Sequence, residues 1–165
     1  MDALHAASAL RSSHAADFEV LTTTPVAFHY INDGHHLHYE HPTIELARST
    51  AAGIVDPPIA HINYSPPFQA PLLLSSTPTA FYPALARFAK LLNDPSRTYL
   101  YTLQEGDAVF FDNRRVLHAR TAFEEIEGDA NEGETNRWLK GCYLEADALQ
   151  DRARVLRSKA ERELL

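Results

Sequence analysis

Apolar residues recur along this chain with two different periods. Over residues 80–92, Phe81, Leu85, Phe88 and Leu92 are spaced by four, three and four, which predicts one face of a helix. Pro83 falls in its first turn, where a missing amide is tolerated, and Pro95 blocks continuation. Residues 2–15 predict a shorter helix, with Leu4, Ala7 and Leu10 on one face. A last helix opens near Asp147, with Gln150 three residues on in the manner of a capping box, and carries the stripe Leu149, Ala153, Leu156, Ala160 and Leu164.

Between these helices the pattern shifts to short β-forming runs. PVAFHYI (25–31), the turn signal Asn32-Asp33-Gly34 and HLHYEH predict a hairpin over 25–41. DFEVLTTT (17–24) reads as a turn into a strand, and 43–47 and 59–64 read as short strands. Pro66 to Pro78, with four prolines, reads as an irregular loop. Then come TYLYTL (98–103), a turn at Glu105-Gly106-Asp107, AVFFD (108–112), a corner at Asn113-Arg114, RVLHAR (115–120) and RWLKGCYL (137–144). The expected fold is mainly β with covering helices, a sandwich or barrel in one domain spanning 1–165.

The formal charge of −7 comes with no basic stripe, which argues against a nucleic-acid binder. Six acidic residues and no basic ones lie between Glu124 and Glu134, predicting a solvated loop. The single cysteine, Cys142, excludes an internal disulfide and a thiolate zinc cluster, so an intracellular compartment, cytoplasmic or mitochondrial, is the default. No apolar run approaches the ~20 residues that span a bilayer, and MDALHAASALRSSH reads as neither a secretory signal nor a transit peptide.

Strand alternation puts Val116, His118 and Arg120 on one side, and Arg137, Leu139, Gly141 and Tyr143 on one side of the later strand. Histidine can ligate a metal, and arginine can clamp a carboxylate through two parallel hydrogen bonds. At ~3.3 Å per residue, Arg137 and Tyr143 stand roughly 20 Å apart, near opposite ends of one pocket. The residues alone equally allow His118 as an ordinary hydrogen-bonded histidine, Arg137 as the partner of a surface carboxylate and Tyr143 as core. His36, His38 and Glu40 share a strand face and could hold a metal, although a solvated edge strand is the favoured reading. Cys142 and Trp138 point away from the pocket face, Cys142 reading as a buried small apolar residue and Trp138 as packed beneath a helix. Arg114 and Arg115 read as residues that pin the corner.

FFDNRRVLHART followed by RWLKGCYLEADALQDRARVLR resembles the C-terminal half of the gamma-butyrobetaine and trimethyllysine dioxygenases, of the TauD/TfdA-like branch of iron(II)- and 2-oxoglutarate-dependent oxygenases. The likeness extends through FYPALARFAKLLNDP, INYSPPF and ADFEVLTTTPVAFHY. It implies a double-stranded β-helix, jelly-roll-like and clavaminate synthase-like, of which this chain supplies the later strands. It further implies His118 as the distal histidine ligand of iron, Arg137 as the anchor of the distal carboxylate of 2-oxoglutarate, Tyr143 as part of the enclosure of a trimethylammonium group, and Asn63 near the substrate carboxylate. A quaternary ammonium donates no hydrogen bond, so aromatic faces hold it by cation–π attraction. The implied cofactors are Fe(II), 2-oxoglutarate as co-substrate, and ascorbate. The implied partners are gamma-butyrobetaine or trimethyllysine, O2, and a second copy in a homodimer.

The implied reaction is hydroxylation of gamma-butyrobetaine to carnitine. Three departures bear on it. Ala119 stands where the family has glycine, and the acidic insert lengthens the interval from His118 to Arg137. The family's His-x-Asp segment, which supplies the other two iron ligands, falls ahead of what matches residue 1. The alternative is therefore a non-catalytic β-domain. All readings share one spatial expectation, that His118 and Arg137 face a common cavity.

Overall fold

The computed structural model describes residues 1–48, 56–122 and 139–163. They fall into two compact units, Met1–Arg120 and Thr121–Leu165. The first unit begins with helix α1 (Ala3–Ser13) and helix α2 (Ala15–Thr23), then strands β1 (Pro25–Asn32), β2 (His35–Pro42), β3 (Ile44–Leu46) and β4 (Ile59–Ile62). A 3-10 turn at Pro66–Phe68 precedes helix α3 (Phe81–Leu92), and another follows at Pro95–Arg97. The second unit carries helix α4 (Ala146–Glu163).

Asp2 starts α1 by accepting bonds from the amides of Leu4 and His5, at 3.1 and 3.4 Å, which satisfies donors that a helix start leaves open. The helix buries a face of small residues, Ala3, Ala6 and Ala7, together with Leu10. Residues 17–24, expected to lead into a strand, instead form α2. Phe18 and Leu21, three apart, are buried on one side of it, and that burial outweighs the weak helix propensity of the threonines. The hydroxyls of Thr22 and Thr23 both bond back to the Glu19 carbonyl at 2.8 Å. Pro25 then disfavours helical backbone at Thr24, and the chain turns extended there.

The hairpin forms as its turn chemistry dictates. Asp33 and Gly34 take φ of 51° and 77°, the two positive values of the turn whose twist matches flanking strands. Asn32 therefore faces His35, and pairing runs to Pro25 opposite Pro42. A second two-stranded sheet pairs β3 with β4, Ile44 against Ile62, with an irregularity between Glu45 and Leu46. Helix α3 buries Phe81, Ala84, Phe88 and Leu92; Leu85 of the expected stripe is only half-buried, packed at the margin. These side chains join Leu10, Leu21, Val26, Ile44 and Ile62 in one core, and Tyr64 meets the Phe88 ring edge-on at 6.3 Å between centroids.

The later strands are not realised as ladders. Among the described residues, 98–103, 108–112, 115–120 and 139–144 form no strand ladder, and their β-bridge joins Val116 to Asp2. Strand backbone needs lateral hydrogen-bond partners, and here Tyr99 and Phe110 stand 81% and 86% exposed. The described residues thus make two small antiparallel sheets and four α-helices, with no closed barrel. The expected turn at 105–107 does form, with Gly106 at φ 89°. The Asp107 carboxylate there accepts from the Gln104 amide and the Tyr101 hydroxyl. Cys142 is exposed, not buried, because its stretch, 139–145, is exposed throughout, with no layer packed on it among the described residues. Nor does the apolar stripe of α4 find a core, since no described residue of that helix is buried. The acidic stretch 124–134, Arg137, Trp138 and Leu164 lie outside the described residues. No helix among the described residues is long and apolar enough to cross a membrane.

This core generates a prediction. Phe88→Ala should lower unfolding free energy in urea by about 3–5 kcal/mol, whereas Phe110→Ala should change it by no more than about 0.5 kcal/mol. Equal losses at the two positions would overturn this account of the core.

Candidate functional site

His118 is carried by a corner that hydrogen bonds fix in detail. The Asp112 carboxylate accepts from the Arg114 amide at 2.8 Å, while its carbonyl accepts from the amides of Arg115 and Val116 at 3.1 and 2.8 Å. This is how an aspartate side chain mimics a backbone turn. Beyond the corner, residues 115–117 lie antiparallel to residues 1–3: the Ala3 amide donates to the Arg115 carbonyl at 2.9 Å and the Leu117 amide to the Met1 carbonyl at 3.0 Å. On the other side, the Ile62 amide at the end of β4 donates to the Arg114 carbonyl at 3.0 Å.

An ion pair reinforces this seam. Arg115 Nη2 and Nε reach one carboxylate oxygen of Asp2 at 2.6 and 3.1 Å. The Arg115 bond holds the Asp2 carboxyl below the usual carboxylate range, against the opposing effect of burial, and Asp2 in turn raises the guanidinium. Leu117 packs against the core, so alternation turns His118 to the exposed side. Its ring lies 4.5 Å from the Phe111 ring, tilted by 53°, and Nδ1 is 3.4 Å from the Val116 carbonyl. In the tautomer with its proton on Nδ1, directed to that carbonyl, the Nε2 lone pair is left as an acceptor.

Asn63 follows β4 and is spent on local structure. Its Nδ2 donates to the Pro42 carbonyl at 2.9 Å and to Glu45 at 3.4 Å, and its Oδ1 accepts from Arg114 at 3.4 Å. Glu45 also meets Arg114 at 3.6 Å and His41 at 3.5 Å. Arg114 therefore links Asn63 to the corner that leads to His118, while Arg115 pins the corner to Asp2. The sequence marked both arginines as corner residues but missed Asp2 and Glu45. An aspartate ahead of an Ala/Leu run is a helix-start signal, yet nothing local announces a partner 113 positions away.

Tyr143 belongs to the second unit, 88% exposed in the stretch before α4. Arg137, and with it the expected cavity shared with His118, lies outside the described residues. His36, His38 and Glu40 are all exposed on β2. Among the described residues no three His, Cys, Asp or Glu side chains gather as a metal site. An iron centre of two histidines and a carboxylate is therefore not made by the described residues, which offer His118 as one donor. Among the described residues, open concavities lie beside Tyr64, Pro66 and Leu85 and on the β1–β2 hairpin, away from His118.

Residues 1–143, the His118 corner included, match the family described as taurine catabolism dioxygenase TauD, TfdA family. This chain belongs to the TauD/TfdA family. It is 60% identical over 157 residues to Dioxygenase str8 of Strobilurus tenacellus, a match covering 94% of this chain and 35% of that protein. It is 31% identical over 156 residues to the Gamma-butyrobetaine dioxygenase of Pseudomonas sp. (strain AK-1), covering 94% and 37%. With the Trimethyllysine dioxygenase of Meyerozyma guilliermondii identity is 24% over 160 residues, covering 94% and 36%. The chain thus spans little more than a third of the length of these curated relatives. TauD/TfdA membership implies a double-stranded β-helix fold, with iron(II) and 2-oxoglutarate as cofactor and co-substrate.

The Asp2–Arg115 seam gives a pH prediction. Because the folded carboxyl titrates below its ordinary value of 3.8, its contribution is complete above that pH and is lost as pH falls through the folded value. Asn can still cap α1, so Asp2→Asn should flatten the acid limb of the stability curve at a cost of at most about 1 kcal/mol near neutrality. Asp2→Ala should cost about 1 kcal/mol more through the lost cap. Thermal unfolding from pH 2 to 7 checks both, and an unchanged acid limb in Asp2→Asn would refute the assignment.

Proposed function

We propose that this chain is the histidine-bearing part of an iron(II)- and 2-oxoglutarate-dependent hydroxylase whose substrate is a small trimethylammonium compound, gamma-butyrobetaine ahead of trimethyllysine. The observation that carries the reading is the family match over residues 1–143, which takes in the Asp112–His118 corner. Similarity to the Pseudomonas Gamma-butyrobetaine dioxygenase supports the order of the two substrates, since identity with the trimethyllysine relative is lower.

In this reading each residue has one task. His118 donates a nitrogen to iron; Arg137 holds the far carboxylate of 2-oxoglutarate through paired hydrogen bonds; Tyr143 offers an aromatic face to the trimethylammonium group. Asn63 reaches a substrate carboxylate only by releasing its 3.4 Å contact with Glu45. Two more iron ligands have to come from outside the described residues. A second reading, a non-catalytic β-domain, draws on the same shortage of ligands and on the exposed apolar run from Tyr99 to Phe111.

The full chain supplied with iron(II), ascorbate, 2-oxoglutarate and O2 tests the proposal. Gamma-butyrobetaine should stimulate succinate release more than trimethyllysine does, and His118→Ala should reduce release by roughly 100-fold or more, beyond the loss usual for a residue that merely orients a ligand. Succinate release equal in His118→Ala and the parent would remove His118 from the site. No release with either substrate would favour the non-catalytic domain.

A further inference from the structure

The β1–β2 hairpin has two faces of different chemistry. Side chains alternate along each strand, so Phe28, Tyr30, Leu37 and Tyr39 share one face. Ala27, His29 and Ile31 of β1 share the other with Glu40, His38 and His36 of β2, opposed as Ala27–Glu40, His29–His38 and Ile31–His36. Among the opposed pairs of this hairpin, His29–His38 alone places an imidazole on both strands.

The backbone sets the spacing of that pair. The Ala70 amide donates to the Ala27 carbonyl at 2.9 Å, so the Ala27 carbonyl points away from β2. Backbone direction repeats at every second residue, which makes His29–His38 a pair that exchanges no backbone bonds. In such pairs the Cα atoms stand about 4.5 Å apart and the side chains come closest. The turn at Asp33 and Gly34 holds the register, and a slip of one residue would send the two imidazoles to opposite faces. The distance is thus fixed inside the hairpin, whatever else packs on its surface. Among the described residues, neither imidazole makes a hydrogen bond or ion pair, so neither has a partner to give up. Glu40, diagonal to His29, adds negative charge beside the pair, and neither strand carries a lysine or arginine.

We propose that His29 and His38 chelate one divalent transition-metal cation, of the Ni2+ or Zn2+ class, across the two strands. Imidazole suits these ions, and two nitrogens already opposed by the backbone lose little freedom in meeting one ion. Among the described residues no three His, Cys, Asp or Glu side chains gather as a metal site. Water therefore fills the remaining coordination positions, and the affinity is modest, with a dissociation constant on the order of 10 µM. Mg2+, which prefers oxygen ligands, does not compete. An ion held from both strands binds only the paired hairpin, so it ties β1 to β2 and stabilises their register. His118 takes no part in this site.

Calorimetric titration of the full chain carrying His118→Ala, which removes the imidazole proposed for iron, tests the pair. About one equivalent of Ni2+ should bind, and Mg2+ should give no heat of binding. His29→Ala and His38→Ala should each weaken Ni2+ binding by roughly 10-fold to 100-fold, whereas His36→Ala and Glu40→Gln should stay within about threefold of the parent. Far-ultraviolet circular dichroism should be the same in all of them. Should a variant lose its fold, the parent decides: substoichiometric Zn2+ should shift the imidazole resonances of His29 and His38 together. Ni2+ binding that survives His29→Ala would place the ion on β2 alone, among His36, His38 and Glu40, and overturn the proposal. So would separate responses of the two resonances, or no binding up to about 1 mM Ni2+.

Discussion

The backbone seam between residues 1–3 and 115–117 is the constraint on which the first unit depends. It joins segments separated by more than a hundred residues, and closing so long a loop costs conformational entropy that grows only slowly with length. That cost is met by the core inside the loop, where the small-residue face of α1 lies with Phe81 and Phe88 of α3. The seam then converts burial into position. With Leu117 packed on the core and Arg115 tied to Asp2, the direction of His118 follows from strand alternation alone.

What the sequence made legible was local. The hairpin follows from Asp33 and Gly34, whose positive φ values fix the register from the turn outward, and α3 follows from an apolar period contained within twelve residues. Residues 17–24 were misread because the threonine run has β propensity, while the decisive fact, burial of Phe18 and Leu21, is tertiary. The segments from Thr98 to Arg120 do have strand composition. A strand, though, is a relation between two segments, and the β-bridge given for the described residues of this stretch joins Val116 to Asp2.

The site divides along the same line. The corner from Asp112 to Val116 was readable because an aspartate folding back on amides two residues away is a short-range device. The role of Asp2 was not, since one carboxylate serves both a helix start and an arginine far along the chain. Glu45 is a similar case, drawing His41, Asn63 and Arg114 to one acid from three separate stretches. Together Asp2 and Glu45 hold the two corner arginines from opposite sides, which is why both guanidiniums serve the corner.

The family and the geometry answer different questions about His118. Membership in the TauD/TfdA family is shown by the match over residues 1–143, and the proposed reading gives His118 its use, while the structure shows what surrounds the ring. The exposed imidazole lies against the Phe111 ring, a contact that spends no ring nitrogen on a buried partner. Among the described residues the ring's polar contact is to the Val116 carbonyl and is long, and a long bond is a weak one. A donor nitrogen held by packing remains available to a cation, whereas one held by a short buried hydrogen bond would first have to give it up. Asn63 shows the contrast, because its amide is committed on both ends. Of the two proposed site residues in the first unit, Asn63 is committed to local structure, while His118 makes one long polar contact.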